Sequence, residues 1–325
     1  MRWLAAMLLL VVLPAQTVAA SGTPLWVRDQ APLAQLFGLP RMWGGAVLAP
    51  DAGVEFRLGV DAANNFLGHG VDDDLLYLDG ESLVTTWSMR FGFRPGWEAW
   101  VAYPHVQHSG GVLDGLIDGF HDLFGFDSVG RERVPRNQFD YLLIVDDEAW
   151  VDLQSRVRGS GDVRLGIAAA LHQDAERQLA LRAQLKLPTG SSDRMSGSGA
   201  TDLALWLEYS QAQFWWHRLG LSAGGGMVLL GEGDLMPDRQ LRTLWLGHLG
   251  LQARLGQHWS LLLQVDSHQQ LYDSALRQLG YHALLGSLGF RRDGTRFSMA
   301  WVLTEDIRPD SSADLALHWT LTSRH

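Results

Sequence analysis

The 325-residue chain contains no cysteine and a single lysine, Lys186. Without cysteine it can form neither a disulfide framework nor a thiolate metal site. Its other cations are arginines, and the formal net charge of −10 argues against a nucleic-acid partner. After Ala20 the sequence has no run of ~20 apolar residues, which excludes an ordinary transmembrane helix.

The first twenty residues have the parts of a secretory signal peptide. Arg2 supplies a short positive region, residues 3–13 form an apolar stretch too short to span a bilayer, and residues 18–20 are small, as a cleavage site requires. We therefore predict that residues 1–20 are a cleaved signal peptide and that residues 21–325 are exported. An uncleaved membrane anchor is the alternative.

Alternation of apolar and polar side chains dominates the exported part of the chain. In RQLALRAQLKL, residues 177–187, leucine and alanine share one face, whereas Arg182 and Lys186 share the other. A period of two residues indicates a β-strand whose faces meet different surroundings. Such segments occur at 54–60, 83–93, 97–105, 162–172, 177–187, 202–210, 219–228, 241–255, 258–270, 280–292, 295–304 and 314–321.

The connections between these twelve segments alternate between short turns and long polar stretches, such as 61–82 and 106–161. This arrangement is typical of outer-membrane barrels, and the even strand number places both termini at the short-turn, periplasmic end. A soluble β-sandwich or a lipocalin-like barrel is the alternative. Arginines and carboxylates on the polar face favour a hydrated lumen and lipid outside. We predict an all-β fold, a 12-stranded antiparallel transmembrane β-barrel in the bacterial outer membrane.

One stretch, HSGGVLDGLIDGFHDLFGF at residues 108–126, breaks the alternation. Its apolar residues recur at helical spacing, which predicts a helix over 112–124 inside the long extracellular loop 106–161. We expect this helical insertion to fold inward and constrict the lumen. The constriction residues would be Leu113, Asp114, Ile117, Asp118, Phe120 and His121.

The same stretch carries a resemblance to a known family. HSGGVLDGLIDGFHDLFGF, followed by Gly130 and Arg131, and KLPTG at 186–190, followed by SGSGATDLAL at 196–205, resemble the bacterial family called domain of unknown function 3187, or DUF3187. The resemblance implies export and an outer-membrane barrel. It implies no activity.

The functional hypothesis that these patterns favour is a passive or gated channel for small, hydrophobic or anionic solutes, without cofactor or metal. The pore would be lined by Arg57, Arg90, Arg164, Arg182, Lys186 and Asp266. We expect membrane lipid, lipopolysaccharide and the barrel-insertion machinery as partners, and an unidentified small solute.

Two alternatives from other classes remain open at this stage. The first is an enzyme acting on lipid or lipopolysaccharide, because nucleophile, base and acid are present in type. Its catalytic residues would be His108, Ser109, His121 and Asp122. The second is a structural barrel without transport. A cation site formed by Asp118, His121 and Asp122 is a further, weaker reading, since these residues share one helical face.

Overall fold

The computed structural model describes residues 22–111, 137–215 and 217–324, which contain fifteen β-strands. Twelve of them form one closed antiparallel barrel, in which the first strand pairs with the last. The predicted twelve-stranded barrel is therefore confirmed. The barrel strands are β1 (Val54–Val71), β2 (Asp74–Arg94), β3 (Trp97–Ser109), β7 (Arg164–Gln173), β8 (Arg177–Lys186), β9 (Asp202–Gln211), β10 (Leu219–Leu229), β11 (Thr243–Arg254), β12 (Trp259–His268), β13 (Ala283–Asp293), β14 (Phe297–Asp306) and β15 (Leu315–Arg324).

Alternation along each strand separates an inner polar face from an outer apolar face. In β8, Arg182 and Lys186 are 0% exposed, whereas Leu181 is 45% and Leu185 is 37% exposed. Because successive side chains of a strand point to opposite faces, the charged set must lie inside the barrel. Leucines that would be costly on a soluble surface thus form the outer wall.

The hairpin of β1 and β2 is much longer than its neighbours and corrects one expectation. Residues 61–82 were predicted to be a long polar connection, but they continue both strands to a tight turn at Asp72 and Asp73. Asp72 adopts a left-handed conformation with φ 52°, as a two-residue hairpin turn requires. The extended hairpin rises beyond the barrel rim, and we call this end the long-loop end and the opposite one the short-turn end.

Three further strands belong to the connection after β3. They are β4 (Asp140–Val145), β5 (Glu148–Leu153) and β6 (Val157–Ser160). The β4 strand pairs with the extended part of β2, and β6 pairs with the end of β3. The helix predicted over 112–124 lies outside the described residues. Among the residues that are described, no helix is long and apolar enough to cross a membrane.

Residues 22–48, which we call the plug, pass through the inside of the barrel. Gly22 lies against the backbone of Gln211 and Leu221 at the short-turn end, and Asp29 reaches His268 at the long-loop end. The chain turns through a short 3-10 helix at Ala34–Leu36 and then descends. The plug leaves the lumen beside β3, where the Leu48 amide donates a hydrogen bond to Glu98 at 2.9 Å. The first barrel strand, β1, follows. The expected hydrated lumen is thus filled by protein.

Apolar side chains of the plug form the centre of the main hydrophobic core. Leu33, Leu36 and Phe37 are each at most 2% exposed and join one cluster with residues of β2, β4 and the long loops. Trp26 packs edge-on against Trp43, with 5.7 Å between ring centroids. Burial of this much aromatic and aliphatic surface explains why an irregular segment adopts one conformation within the barrel.

Candidate channel lumen

The six residues predicted to line a pore lie on the inner faces of their strands. Arg90, Arg164, Arg182 and Lys186 are each at most 7% exposed, and the half-buried Asp266 accepts a hydrogen bond from Gln264 at 2.9 Å. Arg57 faces the short-turn end and pairs with Glu55 at 3.0 Å. These side chains therefore converge on the lumen, although most of them contact the plug rather than open water.

Arg182 is the main attachment point for the returning half of the plug. Its Nε and Nη2 donate to the Gly44 carbonyl at 3.2 and 2.8 Å, and Nη2 also donates to the Ala46 carbonyl at 3.2 Å. Its Nη1 pairs with Glu98 at 2.6 Å. A guanidinium presents its donors as a rigid fork, so one side chain can hold two plug carbonyls and a wall carboxylate together.

Lys186 makes an equivalent attachment nearer the long-loop end. Its Nζ donates to the Leu36 carbonyl at 2.8 Å and lies 2.9 Å from Asp162 and 3.1 Å from Asp202. Asp202 also accepts a hydrogen bond from the Gly38 amide at 2.8 Å. The single lysine of the chain is therefore fully compensated, because two carboxylates and one carbonyl surround its charge. We call the inner faces of β3, β7, β8 and β9 the arginine side.

The opposite wall holds the first residues of the plug, 23–27, through neutral amide groups. Gln264 accepts a hydrogen bond from the Leu25 amide at 2.7 Å, and Gln252 accepts one from the Thr23 amide at 3.3 Å. Farther along, His268 contacts Asp29 at 2.9 Å. We call the inner faces of β11 and β12 the glutamine side.

Close packing between plug and wall depends on glycine at Gly59. A Cβ atom there would lie 2.5 Å from the ring of Trp26, which is closer than real Cβ contacts allow. The Trp26 ring also stacks on the guanidinium groups of Arg41 and Arg57, 4.5 and 4.9 Å from the ring centroid. The wall is therefore shaped for the plug as well as bonded to it.

The long-loop end is covered by an apolar cap that also contacts the plug. Tyr272, in the connection after β12, packs edge-on against Phe37 with 5.6 Å between ring centroids. Burial raises the pKa of the Tyr272 hydroxyl above its usual value, so the ring stays neutral. Arg239 pairs with Asp146 at 2.6 Å and joins two of the loops that form the cap.

The short-turn end is open and forms a vestibule. A cavity of about 310 Å³ lies there between the plug and the turns that follow β11 and β13. Its lining includes Arg57, Arg254, Arg291 and Arg296 but one carboxylate, Asp293. Asp293 is shared, since it lies 3.4 Å from Arg254 and 3.2 Å from Arg291. Arg57 is also paired with Glu55, but with both carboxylates counted the arginines still give the vestibule an excess of positive charge.

The residues of the hydrolase alternative are not gathered into a site by the described structure. His108 and Ser109 are successive residues of β3, so their side chains point to opposite faces. His108 is fully buried, donates from Nε2 to the Met195 carbonyl at 3.1 Å, and accepts at Nδ1 from the Ser82 hydroxyl at 2.8 Å. Asn65 donates to Ser82 and to Tyr141. A closed network of this kind fastens β2, β3 and β4 together.

The remaining predicted site residues lie outside the described residues. They are Leu113, Asp114, Ile117, Asp118, Phe120, His121 and Asp122. Their constriction, catalytic and cation-binding roles stay predictions. Within the described ranges, no group of histidine and carboxylate side chains could hold a metal ion.

Sequence reasoning missed the residues of the plug. The plug, residues 22–48, has neither helical nor strand periodicity. Apolar and polar residues follow one another without a regular spacing, as in TPLWVRDQAPLAQLFGLPRMWGG. The signal that could have found the plug is its composition. The segment between the export signal and the first strand contains, besides two arginines, two tryptophans and several leucines, and such apolar residues are usually buried.

Comparison with solved structures agrees with the barrel. An outer membrane channel (COG4313) from Pseudomonas putida F1 matches with a TM-score of 0.56 at 9% identity, over 86% of this chain and 97% of that one. The NanC porin gives a TM-score of 0.46 at 8% identity, over 84% and 99%. The toluene transporter TbuX of Ralstonia pickettii gives 0.42 at 13% identity, over 86% and 91%. At these identities the likeness concerns the fold alone.

Sequence comparison gives one family. No curated protein matches the chain. A family model described as "Protein of unknown function (DUF3187)" matches residues 1–325, as the motifs at 108–126 and 186–205 led us to expect. The chain therefore belongs to the DUF3187 family.

Proposed function

We propose that this protein is a channel of the bacterial outer membrane that admits small anionic solutes and is closed at rest by the plug. The long-loop end faces the outside and the vestibule faces the periplasm, as is usual for such barrels. Support for the location comes from the leucine-rich outer wall and from the export signal predicted over residues 1–20.

The observation that carries this proposal is that the lumen is filled by a separate chain segment rather than by the side chains of the wall. The plug is attached by hydrogen bonds and ion pairs, such as those of Arg182 to Gly44 and of Lys186 to Leu36. Polar contacts of this kind can be exchanged for water when the segment moves. A barrel sealed by wall side chains alone would offer no such element.

Charge supports the choice of anionic solutes. The vestibule has four arginines against two carboxylates, Asp293 in its lining and Glu55 behind Arg57, and its apolar walls include Trp26 and Trp43 from the plug. A cleft lined by one sign of charge raises the local concentration of the opposite ion. An anion with an apolar part fits both features of the lining.

Conductance in planar bilayers tests the proposal. We expect the wild-type barrel to show rare, brief openings and a variant lacking residues 24–48 to show a steady open current that favours anions. The deletion variant must first show the heat-resistant migration of a folded barrel. A folded deletion variant without any current would overturn the channel and favour the structural barrel.

A reversible lock tests the same proposal without a deletion. A Cβ atom at Gly38 would lie 2.7 Å from that of Asp202, and disulfides span roughly 3.5–4.5 Å between Cβ atoms, so a small outward shift allows a bond. Gly38→Cys with Asp202→Cys should abolish openings when oxidised and restore them on reduction. The two single variants are the controls, since the chain has no other cysteine. Openings that persist in the oxidised form contradict gating by the plug.

A further inference from the structure

A second, smaller cavity lies inside the lumen, between the plug and the wall. Its volume is about 20 Å³. Two plug arginines, Arg28 and Arg41, and one wall arginine, Arg164 of β7, line it together with Gln184, Trp26 and Trp100. Three guanidinium groups thus meet around a space that is separate from the vestibule.

One of these three guanidinium groups forms an ion pair and two do not. Arg41 forms a bidentate ion pair with Asp61, which also contacts His318 Nδ1 at 2.8 Å. In the described parts of the chain, Arg28 and Arg164 form no ion pair with a carboxylate. The two aspartates whose charges act on Arg164, Asp162 and Asp202, form their ion pairs with Lys186, so this set of two cations and two carboxylates gives Arg164 no carboxylate of its own in direct contact.

The unsatisfied groups that line the cavity are all hydrogen-bond donors. Among the described residues, Arg28 Nε and Nη1, Arg164 Nε and Trp26 Nε1 are buried without a partner. The remaining Arg164 nitrogens reach carbonyls of Asp162 and Phe37 only at 3.5 Å. Arg28 is 6% and Arg164 is 7% exposed. Because a guanidinium does not lose its proton, these donors need an acceptor that also carries negative charge.

We propose that this cavity binds one small inorganic monovalent anion of about the size of chloride, held between Arg28 of the plug and Arg164 of the wall. One water-sized occupant needs roughly 10–15 Å³, so a cavity of about 20 Å³ accepts a single such ion and excludes gluconate. A water molecule would satisfy donors but would bring no negative charge to the two guanidinium groups that lack an ion pair. The anion therefore bridges plug and β7 and helps to keep the plug seated, whether or not the barrel conducts.

Replacement of gluconate by chloride tests the site in the full-length barrel. We expect the thermal transition, followed by tryptophan fluorescence in detergent at constant ionic strength, to rise saturably by roughly 2–4 °C as chloride replaces gluconate. Bromide should act similarly. In crystals soaked in bromide, its anomalous peak should lie within hydrogen-bond distance of Arg28 and Arg164. Equal transitions in chloride and gluconate, or crystals without a peak in this cavity, would overturn the proposal.

Two charge-removing variants separate this site from general salt effects. Arg28→Gln and Arg164→Gln should lose the chloride dependence, and in gluconate they should be at least as stable as the wild type, because each removes a buried guanidinium that forms no ion pair. Arg239→Gln is the matched control, since Arg239 is an exposed arginine paired with Asp146, and it should keep the full dependence. A chloride response of wild-type size in both Arg28→Gln and Arg164→Gln would contradict the proposal.

Discussion

The arginine side and the glutamine side hold the two halves of the plug in different ways. On the arginine side, cationic side chains donate to plug carbonyls, as Arg182 does to Gly44. On the glutamine side, neutral amide oxygens accept from plug amides, as Gln264 does from Leu25. Charge-assisted hydrogen bonds are about twice as strong as neutral ones. We therefore expect residues 23–27 to leave the wall before residues 36–48 when the plug moves.

The largest effect should come from Arg182→Met. This change removes three hydrogen bonds to the plug and leaves Arg90, whose Nη1 lies 3.5 Å away, as the remaining cation beside Glu98. Loss of one partner of a buried ion pair costs about 3–5 kcal/mol. Urea unfolding of the barrel measures this loss, and limited proteolysis should show cleavage within residues 36–48.

A double variant is the control for Arg182→Met. Adding Glu98→Gln removes the carboxylate that the first change leaves poorly compensated, so part of the lost stability should return. If Arg182→Met unfolds at the wild-type urea concentration and its plug resists protease, the arginine side does not hold the returning half.

A smaller effect is expected for Asp61→Asn. Asp61 is the carboxylate that neutralises Arg41, so the change adds a third guanidinium without an ion pair beside Arg28 and Arg164. We expect a loss of about 2–4 kcal/mol in the free energy of unfolding, since a charged hydrogen bond is lost and a buried charge is left unpaired. Adding Arg41→Gln should restore most of the loss. A loss that the second change deepens would mean that Asp61 acts through His318 instead.

The glutamine side should respond less. Gln264→Leu leaves the Leu25 amide without its acceptor, which costs about 1–2 kcal/mol for a neutral hydrogen bond, and it also removes the Gln264 donor from Asp266. Gln252→Leu is the matched variant, and its longer contact to Thr23, 3.3 Å, predicts a smaller loss. Proteolysis should reach residues 23–27 in Gln264→Leu while residues 36–48 stay protected. Equal exposure of both halves would remove the distinction between the two sides.

The wall of the barrel could be predicted from the sequence because each strand meets two different environments. Leu181 faces out and Arg182 faces in, so the sequence alternates between apolar and polar residues with a period of two. The extension of β1 and β2 over residues 61–82 could not be predicted in this way. Tyr141 and Leu143 of β4 cover that hairpin instead of lipid, and both of its faces are mixed.

The plug could not be predicted from periodicity, since an irregular segment inside a barrel has no repeating face. Trp26 contacts Gly59, and Leu36 is held by Lys186, pairs that are distant in sequence and not marked by spacing. The sequence pattern identified the charged residues of the inner face but not the groups that they bind. Lys186 and Arg182 were expected to line water, whereas backbone carbonyls of the plug occupy that position.

The smallest effect on stability is expected for an aspartate that lies outside the lumen. Asp174, in the turn between β7 and β8, accepts hydrogen bonds from the Arg177 and Glu176 amides and from His172, which together lower its pKa to about 2. A pKa that is lower in the folded state means stabilisation above pH ~4 that disappears as the pH falls towards 2. Asp174 is fully exposed, so solvent screens this contribution. Asp174→Ala should therefore leave neutral-pH unfolding unchanged, and the carboxyl carbon resonance of Asp174 should titrate near pH 2. A loss in Asp174→Ala as large as that in Arg182→Met would mean that burial against the plug is not what distinguishes the arginine side.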